Sequence, residues 1–436
     1  MTKDSQDKLA KIVSLAKRRG FVFQGSEIYG GLAGMWDYGP LGAELVRNIK
    51  DLWWKHFVYE EENMYPLETT TIMPEAVWKA SGHLEGFTDP MVSCQKCKRR
   101  FRKDHVGDVC PECDGKFGEE KKFNLLFPIA MGATEGGGDM AYLRGEIAQG
   151  MFVNFKNVLD TMRPTLPFGI AQIGKAYRNE IAPRDFLFRV REFDLMEFEY
   201  FVRESEWQQH FNRWKDRVWE WIDRVGIARE YVHELEVGEG DRAHYSKRTV
   251  DFEFDYPFGR KELYGLAYRT DYDLKKHSEA SGVDLSYTDP VSGEKFIPHV
   301  IEPTFGLGRT VLAVLLSAYQ EDGVGDDTRT YLKLHPAIAP VKAAIFPLLR
   351  NKPELVAKAR EVFTSIKKQI PQVAWDDNGN IGKRYRRQDE IGTPWCVTID
   401  FDTLEDDTVT VRNRDTGEQQ RIKIADLYSF VQESLL

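Results

Sequence analysis

Hydrophobic residues at helical spacing predict two amphipathic helices near the start of the chain. The first follows the apolar stripe from Leu9 to Ala16 and ends at Gly20. The second begins at Pro40, which suits a first helical turn, and turns the apolar positions of residues 45–53 inward. Its apolar face predicts a packed partner, which we interpret as a second copy of the chain.

Longer apolar and alternating stretches follow. Residues 166–202 predict two long strands joined by a tight loop around residues 182–185. Residues 249–255 and 262–270 are also strand-like, and residues 301–319 predict a strand, a glycine turn and a buried helix.

The pattern changes after the stretch EDGVGDDT at residues 321–328, which predicts a linker. Beyond it we expect strands at 341–346 and 395–401, helices at 354–370 and 381–390, a hairpin at 415–417 and a terminal helix. This order predicts a separate small α/β domain at 336–436 beside a larger domain at 1–335. The polar, cysteine-bearing residues 80–125 are interpreted as an insertion in the larger domain.

Composition narrows the class of protein. The chain of 436 residues is 42% hydrophobic and 30% charged, which is typical of globular proteins. The longest apolar run, residues 311–316, is far too short to cross a membrane. The acids near the start argue against a transit peptide, so we expect a cytoplasmic protein with no membrane contact. A net charge of −9 argues against unspecific nucleic-acid binding but leaves room for a local basic surface.

Four of the five cysteines form two CxxC pairs, Cys94-x2-Cys97 and Cys110-x2-Cys113. This spacing is typical of a tetrahedral zinc held by two knuckles. Four thiolates leave no open coordination position, so the predicted zinc is structural. The alternative is four incidental thiols. Cys396, in an apolar strand, is interpreted as a core residue.

Charged residues alternate along the two strands of 166–202. Arg189, Arg191, Phe193, Glu197 and Glu199 share one parity, as do Arg178 and Glu180. Arginines suit phosphates, a ring suits a base, and carboxylates suit an ammonium. The same alternation also fits a solvated ladder of cross-strand salt bridges.

Two further segments are basic or glycine-rich. The turn Gly306-Leu-Gly-Arg309 precedes the buried helix and could bring backbone and Arg309 to a ligand, although most such turns only connect a strand to a helix. The run from Lys383 to Arg387 suits single-stranded RNA, although it also fits a solvated helix face.

Taken together, these segments resemble class II aminoacyl-tRNA synthetases of the homodimeric glycyl type. The resemblance runs through IYGGLAGMWDYGPLGAELVRNIKDLWW, AYRNE with FRVREFDLMEFEYF, and EPTFGLGRTVLAVL, which are similar to motifs 1, 2 and 3. It continues in ASGHLEGFTDPMVSC, AQGMFVNF and GNIGKRYRRQDEIGTP. It implies an α+β fold with an antiparallel catalytic sheet, a zinc-binding insertion and a C-terminal α/β anticodon-binding domain.

The activity implied is adenylation of glycine with ATP and Mg²⁺, followed by transfer to tRNA. Arg178 and Arg309 are the implied catalytic residues. The implied ATP site comprises Arg178, Asn179, Glu180, Phe188, Arg189, Val190, Arg191, Glu192, Phe193, Glu262, Leu263, Gly306, Leu307, Gly308 and Arg309. The implied glycine site comprises Arg102, Glu146, Phe193, Asp194, Leu195, Met196, Glu197, Glu302, Pro303, Thr304, Phe305 and Gly306, with Arg269 toward the glycine carboxylate. The expected tRNA contacts are Arg184, Lys383, Arg384, Arg386 and Arg387.

The chain departs from the family pattern at Gly145 and Ile147, where proline and threonine are usual, and at Thr304, where serine is usual. The first two departures, with Gly137 and Gly138 upstream, predict a looser cover over the glycine site. Two rival hypotheses are a non-catalytic relative that binds tRNA and a synthetase for another amino acid. A non-catalytic relative should lack the arginines expected to bind ATP. A synthetase for another amino acid should lack the paired glutamates of the glycine site.

Overall fold

The computed structural model describes residues 3–132, 139–323 and 328–435, so Gly137 and Gly138 lie outside the described residues. The chain begins with α1 (Lys3–Arg18), β1 (Val22–Gln24), β2 (Trp36–Tyr38), α2 (Pro40–Trp54) and β3 (Met64–Pro66). As predicted, α1 ends before Gly20, which has a φ of +74°. The apolar face of α2 packs inside this chain, because Leu45, Ile49 and Trp53 are completely buried. That face therefore gives no support for a second copy, and the homodimer stays a prediction.

The next region carries the cysteines. Its elements are β4 (Ile72–Pro74), α3 (Glu75–Ala80), α4 (His83–Gly86), β5 (Thr88–Ser93), β6 (Arg100–Arg102), β7 (Lys121–Asn124), β8 (Phe127–Met131) and β9 (Asp139–Leu143). Strands β6, β5 and β7 form a small antiparallel sheet, and β4, β9 and β8 form another. The four cysteines lie in the turn between β5 and β6 and in the loop before β7.

The large sheet is built from the middle of the chain. Its region comprises α5 (Ala148–Val153), α6 (Phe155–Met162), β10 (Phe168–Tyr177), β11 (Glu192–Val202), α7 (Trp207–Arg224), β12 (Val232–Glu236), β13 (Arg248–Tyr256), β14 (Gly259–Thr270), α8 (Tyr272–Ser281), β15 (Tyr287–Thr288), β16 (Lys295–Phe296), β17 (His299–Gly306) and α9 (Leu307–Ala318). Seven strands lie in the order β12-β13-β14-β17-β11-β10-β3, antiparallel except at β10–β3. This confirms the antiparallel catalytic sheet expected from the resemblance.

Alternation along the strands gives the sheet two different faces. One face packs into the main core, where Phe198 and Phe305 lie among Trp53, Trp214 and Trp221 from α2 and α7. The tryptophans of α7 are core residues. The opposite face carries the charged residues of β11 and β17 and holds the candidate site.

The loop between β10 and β11 is longer than predicted. Pairing ends at Tyr177 opposite Glu192, and residues 178–191 leave the ladder. Asp185 and Phe186 both have positive φ, which turns the backbone at the tip, and an isolated bridge joins Arg184 to Arg189. Several basic residues assigned to strands by parity therefore lie in a loop.

The predicted linker at residues 321–328 is flanked by two paired strands. Strand β18 (Tyr319–Asp322) pairs with β19 (Arg329–Leu332), and Arg329 forms ion pairs with Asp322 and Asp389. Residues 324–327 lie outside the described residues, but the segments on both sides pair with each other, so the polar composition of this stretch does not mark a domain connection.

The C-terminal region is the expected α/β unit. It comprises β20 (Ala343–Pro347), α10 (Pro353–Gln369), β21 (Val373–Trp375), α11 (Ile381–Ile391), β22 (Trp395–Ile399), α12 (Phe401–Asp406), β23 (Thr408–Asn413), β24 (Gln419–Lys423) and α13 (Leu427–Glu433). The sheet order is β21-β20-β22-β23-β24. The predicted boundary at 335/336 falls inside a segment whose Ile338 and Ala339 pack in the main core. None of the helices in the described ranges has the length and apolar character needed to span a bilayer.

Candidate active site

Two depressions open on the charged face of the large sheet, and they meet at Arg178. The first is a cleft of about 400 Å³ bounded by the loop 178–191, the start of α9 and the edge of the cysteine-bearing sheet. The second is a pocket of about 270 Å³ between β11, β14 and β17. Arg178 lines both, so a ligand in the cleft and a ligand in the pocket would reach the same guanidinium.

The cleft is basic and aromatic. Arg309 packs on the Phe188 ring at 4.5 Å and donates to the Glu262 carbonyl at 2.9 Å. It also forms an ion pair with the Glu262 carboxylate at 3.2 Å, and this charge lowers the pKa of Glu262 below its usual value. Arg178 lies 5.4 Å from the Phe193 ring and is fixed by donating from Nε to the Gly145 carbonyl at 3.1 Å. Rings beside arginines suit a base beside its phosphates.

Glu180 lies in the cleft with an oxygen available for a ligand. Its Oε2 is buried and has no hydrogen-bond partner within the described ranges, and Arg189 is 3.9 Å away. Burial raises the pKa of Glu180. A buried acceptor without a partner is costly, and a donor such as an exocyclic amino group would satisfy it.

The cysteine-bearing sheet reaches the cleft at its other end. Asp89 of β5 and Arg102 of β6 line the cleft and form an ion pair at 2.8 Å. Arg102 lies opposite Met91 in a hairpin that ends at Cys94. The hairpin thus connects the cysteine cluster to the cleft wall.

The four cysteine sulfurs lie within 4.8 Å of one another. The Cys94 and Cys113 sulfurs are 3.5 Å apart, and those of Cys97 and Cys110 are 3.7 Å apart. Tetrahedral zinc with bonds of about 2.3 Å requires sulfurs about 3.8 Å apart, so this donor set fits zinc. A side chain at Gly115 would place Cβ 2.8 Å from the Cys94 sulfur, so the turn requires glycine there.

The pocket is rich in acidic residues, in contrast to the cleft. Arg269 lies behind its wall and is completely buried. Arg269 donates to Asp273 at 2.8 and 2.9 Å and to Glu302 Oε1 at 2.8 Å, and it stacks on the Tyr245 ring at 3.7 Å. Three of its N–H groups are engaged in these bonds, and Arg269 thereby orients Glu302. Arg269 does not line the pocket, so the structure does not bring it to the place predicted for a glycine carboxylate.

A second chain of contacts orients Glu146. His83 Nε2 is 3.1 Å from one oxygen of Glu146, and Gln149 Nε2 donates to the other at 2.9 Å. The same amide donates to Asp273 at 3.0 Å. Burial opposes ionisation, but the neighbouring His83 and Arg269 lower the pKa of Glu146 below its usual value. Glu146 is therefore held as a carboxylate.

Two more glutamates of β11 complete the acidic set. Glu197 accepts from the Thr304 hydroxyl at 2.9 Å, while its Oε2 and both oxygens of Glu199 have no partner within the described residues. Oxygens of Glu197, Glu199 and Glu302 lie within 4.8 Å of one another. Burial and the charge of Glu302 raise the pKa of Glu197 and of Glu199 well above the usual value. The set is suited to a small cation such as an ammonium.

The structure brings most of the predicted residues together. The cleft is lined by Arg102, Arg178, Glu180, Phe188, Arg189, Val190, Phe193, Glu262, Leu263, Gly306, Gly308 and Arg309. The pocket is lined by Glu146, Arg178, Leu195, Glu197, Glu302 and Thr304. Arg102, which we placed with glycine, thus lines the cleft and not the pocket.

Other predicted residues do not line either depression. They are Asn179, Arg191, Glu192, Asp194, Met196, Pro303, Phe305 and Leu307. The contiguous runs included both faces of each strand, whereas only every second side chain reaches the site. Met196, Phe305 and Leu307 belong to the core, and Asp194 forms ion pairs with Lys50 and Lys175 behind the sheet.

Arg191 has a supporting position outside the cleft. It donates to the carbonyls of Glu180 and Ala33. It thereby fixes the loop that carries Glu180.

Most of the basic residues at 383–387 in the C-terminal region form hydrogen bonds or ion pairs within the protein. Arg384 is buried and donates to the carbonyls of Pro347, Asp377 and Gly379, so we withdraw it from the expected tRNA contacts. Arg387 forms an ion pair with Asp376, and Arg386 donates to a backbone carbonyl at residue 328. Lys383 is exposed on α11. Arg184 is half-exposed at the tip of loop 178–191.

The departures from the family pattern are compatible with tight packing. A side chain at Gly145 would place Cβ 2.8 Å from Phe87 and 2.9 Å from Leu126, and Ile147 is completely buried. Thr304 keeps the hydroxyl that bonds Glu197. The described residues give no sign of the looser cover that we expected.

Sequence reasoning missed several residues around the pocket. Asp273, Gln149, His83 and Tyr245 were not singled out, because each lies in a separate segment and acts through Arg269 or Glu146. The pair Arg269 and Asp273 has the i, i+4 spacing of a salt bridge and was the one available signal.

Comparison with known proteins gives two family matches. Residues 134–319 match the tRNA synthetase class II core domain (G, H, P, S and T). Residues 342–434 match an anticodon binding domain.

Similar proteins cover the whole chain. Glycine--tRNA ligase of Caldanaerobacter subterraneus subsp. tengcongensis is 47% identical, with 98% of each chain covered. Glycine--tRNA ligase of Clostridium perfringens is 48% identical, again over 98% of each chain. That of Bacillus cereus is 46% identical over 98% of this chain and 99% of its own.

Proposed function

Because the chain belongs to the glycine–tRNA ligase family and joins glycine to tRNA at the expense of ATP, we propose a division of labour between its two depressions. The cleft holds ATP and the pocket holds glycine. The observation that supports this proposal is that Arg178 lines both the cleft and the pocket. The α-phosphate of ATP and the carboxylate of glycine would therefore meet at one guanidinium.

The reaction has two steps. A carboxylate oxygen of glycine attacks the α-phosphorus of ATP, the bond to the β-phosphate oxygen breaks, and pyrophosphate leaves. A terminal ribose hydroxyl of tRNA then attacks the carbonyl carbon of glycyl-adenylate, and AMP leaves. Neither step needs a protein nucleophile, so the residues act by positioning reactants and neutralising charge.

In the cleft we assign the nucleotide contacts as follows. Phe193 stacks on adenine, and the unpartnered oxygen of Glu180 accepts from its amino group. Arg178 binds the α-phosphate, and Arg309, already oriented by Phe188 and Glu262, binds farther along the triphosphate.

ATP is used with Mg²⁺, which prefers carboxylate oxygens. The carboxylates of Glu262 and Asp251 border the junction with the pocket and would hold this ion. It would supply charge neutralisation on the phosphates.

In the pocket, Glu197, Glu302 and Glu146 receive the glycine ammonium, and Thr304 fixes Glu197. Arg269 keeps Glu302 in place and does not itself line the pocket. A small pocket selects glycine by excluding larger side chains, and no smaller amino acid requires editing.

Other assignments rest on less direct observations. The sulfur geometry supports a structural zinc at Cys94, Cys97, Cys110 and Cys113. A homodimer is supported by the exposed apolar side chains of Ile28, Tyr29 and Leu32 between β1 and β2, in the motif 1 segment.

Arg184 and Lys383 are the proposed tRNA contacts with exposed side chains, beside Arg386 and Arg387. Five free cysteines suit the reducing cytoplasm, which we propose as the location.

Glycine-dependent ATP–pyrophosphate exchange tests the proposal, with alanine and serine as controls. We expect exchange with glycine alone, followed by charging of glycine tRNA. No exchange by folded, zinc-loaded protein would favour the non-catalytic alternative, which no observation presently supports.

A further inference from the structure

Glu199 is a buried acidic residue that the proposed reaction does not use. It is completely buried, and neither of its carboxylate oxygens has a hydrogen-bond partner in the described part of the chain. A buried carboxylate without partners is unstable as an anion, so it must be neutral or await a cation.

The sheet register places Glu199 beside the glycine pocket. Glu197 pairs with Thr304 and Tyr200 with Ile301, so Glu199 lies opposite Glu302 on the neighbouring strand. Its oxygens fall within 4.8 Å of oxygens from Glu197 and Glu302. Three carboxylates therefore share one small, water-poor volume.

The surroundings provide too little positive charge for three anions. Arg269 is the cation in contact with the cluster, and it is shared with Asp273. The other titratable or charged groups facing the cluster from neighbouring elements are Glu146, Asp273, Tyr245, Arg144 and, through Glu146, His83. On β10 the residues opposite Glu199 and Glu197 are Ile170 and Gln172, and both are neutral.

We propose that Glu197, Glu199 and Glu302 share one proton in the free protein and that the ammonium of glycine displaces it. The inference rests on the proposed function of the pocket. The protons balance as follows. The protonated cluster binds glycine in the ammonium form, and the proton of the cluster is released to solvent. The ammonium then provides the positive charge and the donors that the unpartnered oxygens lack.

Two consequences follow. Glycine affinity rises with pH while the cluster loses its proton, because proton and ammonium compete for the same oxygens. The raised pKa values of Glu197 and Glu199, which arise from burial and from Glu302, agree with this competition. Glu199 is accordingly a positioning residue that holds the shared proton with Glu197 and Glu302, and so lowers the negative charge of the cluster until substrate arrives.

Isothermal titration calorimetry of the full chain tests the proposal. The probe is 5′-O-(glycylsulfamoyl)adenosine, and the matched ligand is its acetyl counterpart, which lacks only the amino group. Binding heats at pH 6.5 in buffers of different ionisation enthalpy give the number of protons released. We expect about one proton with the glycyl ligand and about none with the acetyl ligand.

Equal proton counts for the two ligands would overturn the inference and leave the proposed function standing. Failure of both ligands to bind would refute the proposed function, and this inference with it. The comparison uses the unaltered protein, so it does not depend on the folding of a variant.

The variant Glu199→Gln then isolates the third carboxylate. We expect proton release with the glycyl ligand to fall by more than half and the affinity to become less dependent on pH between 5.5 and 7.5. The matched control is Glu279→Gln, an exposed residue paired with Lys276, which should behave as the unaltered protein. Unchanged proton release in folded Glu199→Gln would exclude Glu199 from the cluster.

Discussion

The cleft and the pocket lie on the same face of the same sheet, yet they solve the problem of charge in opposite ways. Arg309 in the cleft keeps 26% of its side chain exposed, whereas Arg269 behind the pocket has none. The arginines of the cleft are partly exposed, which suits a nucleotide that brings its own metal ion and must release pyrophosphate. The acidic residues of the pocket outnumber the one buried arginine that contacts them, which suits the binding of one small cation.

The largest expected effect comes from the residue that joins the two regions. Arg178→Ala should lower glycine-dependent pyrophosphate exchange on the order of 10³-fold, because it removes the guanidinium that holds the α-phosphate against glycine. Steady-state exchange measures this, with thermal unfolding as a check on the fold. Arg229→Ala, remote and paired with Asp223, is the control. A loss below about tenfold would contradict the central role of Arg178.

Substitutions within each region should separate their ligands. Glu197→Gln removes an ammonium partner without touching Arg269, so the KM for glycine should rise about 100-fold with little change in the KM for ATP. Phe193→Ala should do the reverse, raising the KM for ATP about tenfold through loss of stacking. If both variants raise both KM values equally, the two depressions do not act as separate sites.

Removal of zinc should affect the cleft more than the pocket. The hairpin of β5 and β6 carries the cysteine turn at one end and Asp89 and Arg102 at the other. Metal-free protein, or Cys97→Ser, should therefore show a KM for ATP raised about tenfold, with the glycine KM less changed. Zinc content by mass spectrometry and the two KM values measure this. Restoration by added zinc in the unaltered chain but not in the variant completes the comparison.

The smallest expected effect lies at Thr304. Thr304→Ser keeps the hydroxyl that donates to Glu197, so the KM for glycine should change less than about threefold. Thr304→Val keeps the shape and loses the donor, so it should raise that KM about tenfold. Equal effects of the two variants would show that the methyl group, rather than the hydrogen bond, matters.

The sequence was most informative where one element carries a complete signal. The buried helix α9, the cysteine pairs and the long strands β10 and β11 all follow from local patterns. Alternation along β11 was also enough to single out Glu197, and with it Glu199. The same parity argument failed at residues 178–191, where Asp185 and Phe186 turn the backbone and the loop leaves the ladder.

The sequence could not predict which side chains from distant segments contact one another in the folded protein. The contacts of Arg269 with Asp273 and Glu302, and of Glu146 with His83, depend on how five separate segments pack. Charge runs were equally ambiguous: the run at 383–387 contains a buried arginine because Arg384 satisfies three carbonyls at a chain turn. No periodicity distinguishes such an arginine from an exposed one.

The burial of Arg269 also limits how this enzyme can change over evolutionary time. Replacing Arg269 alone leaves Asp273 and Glu302 as buried anions without a cation, and replacing either acid alone weakens the hold on the arginine. Any single substitution in this arrangement therefore lowers the stability of the folded protein. Position 269 is not expected to change by neutral drift. We expect positions 269, 273 and 302 to vary together in descendants of this sequence or to stay fixed.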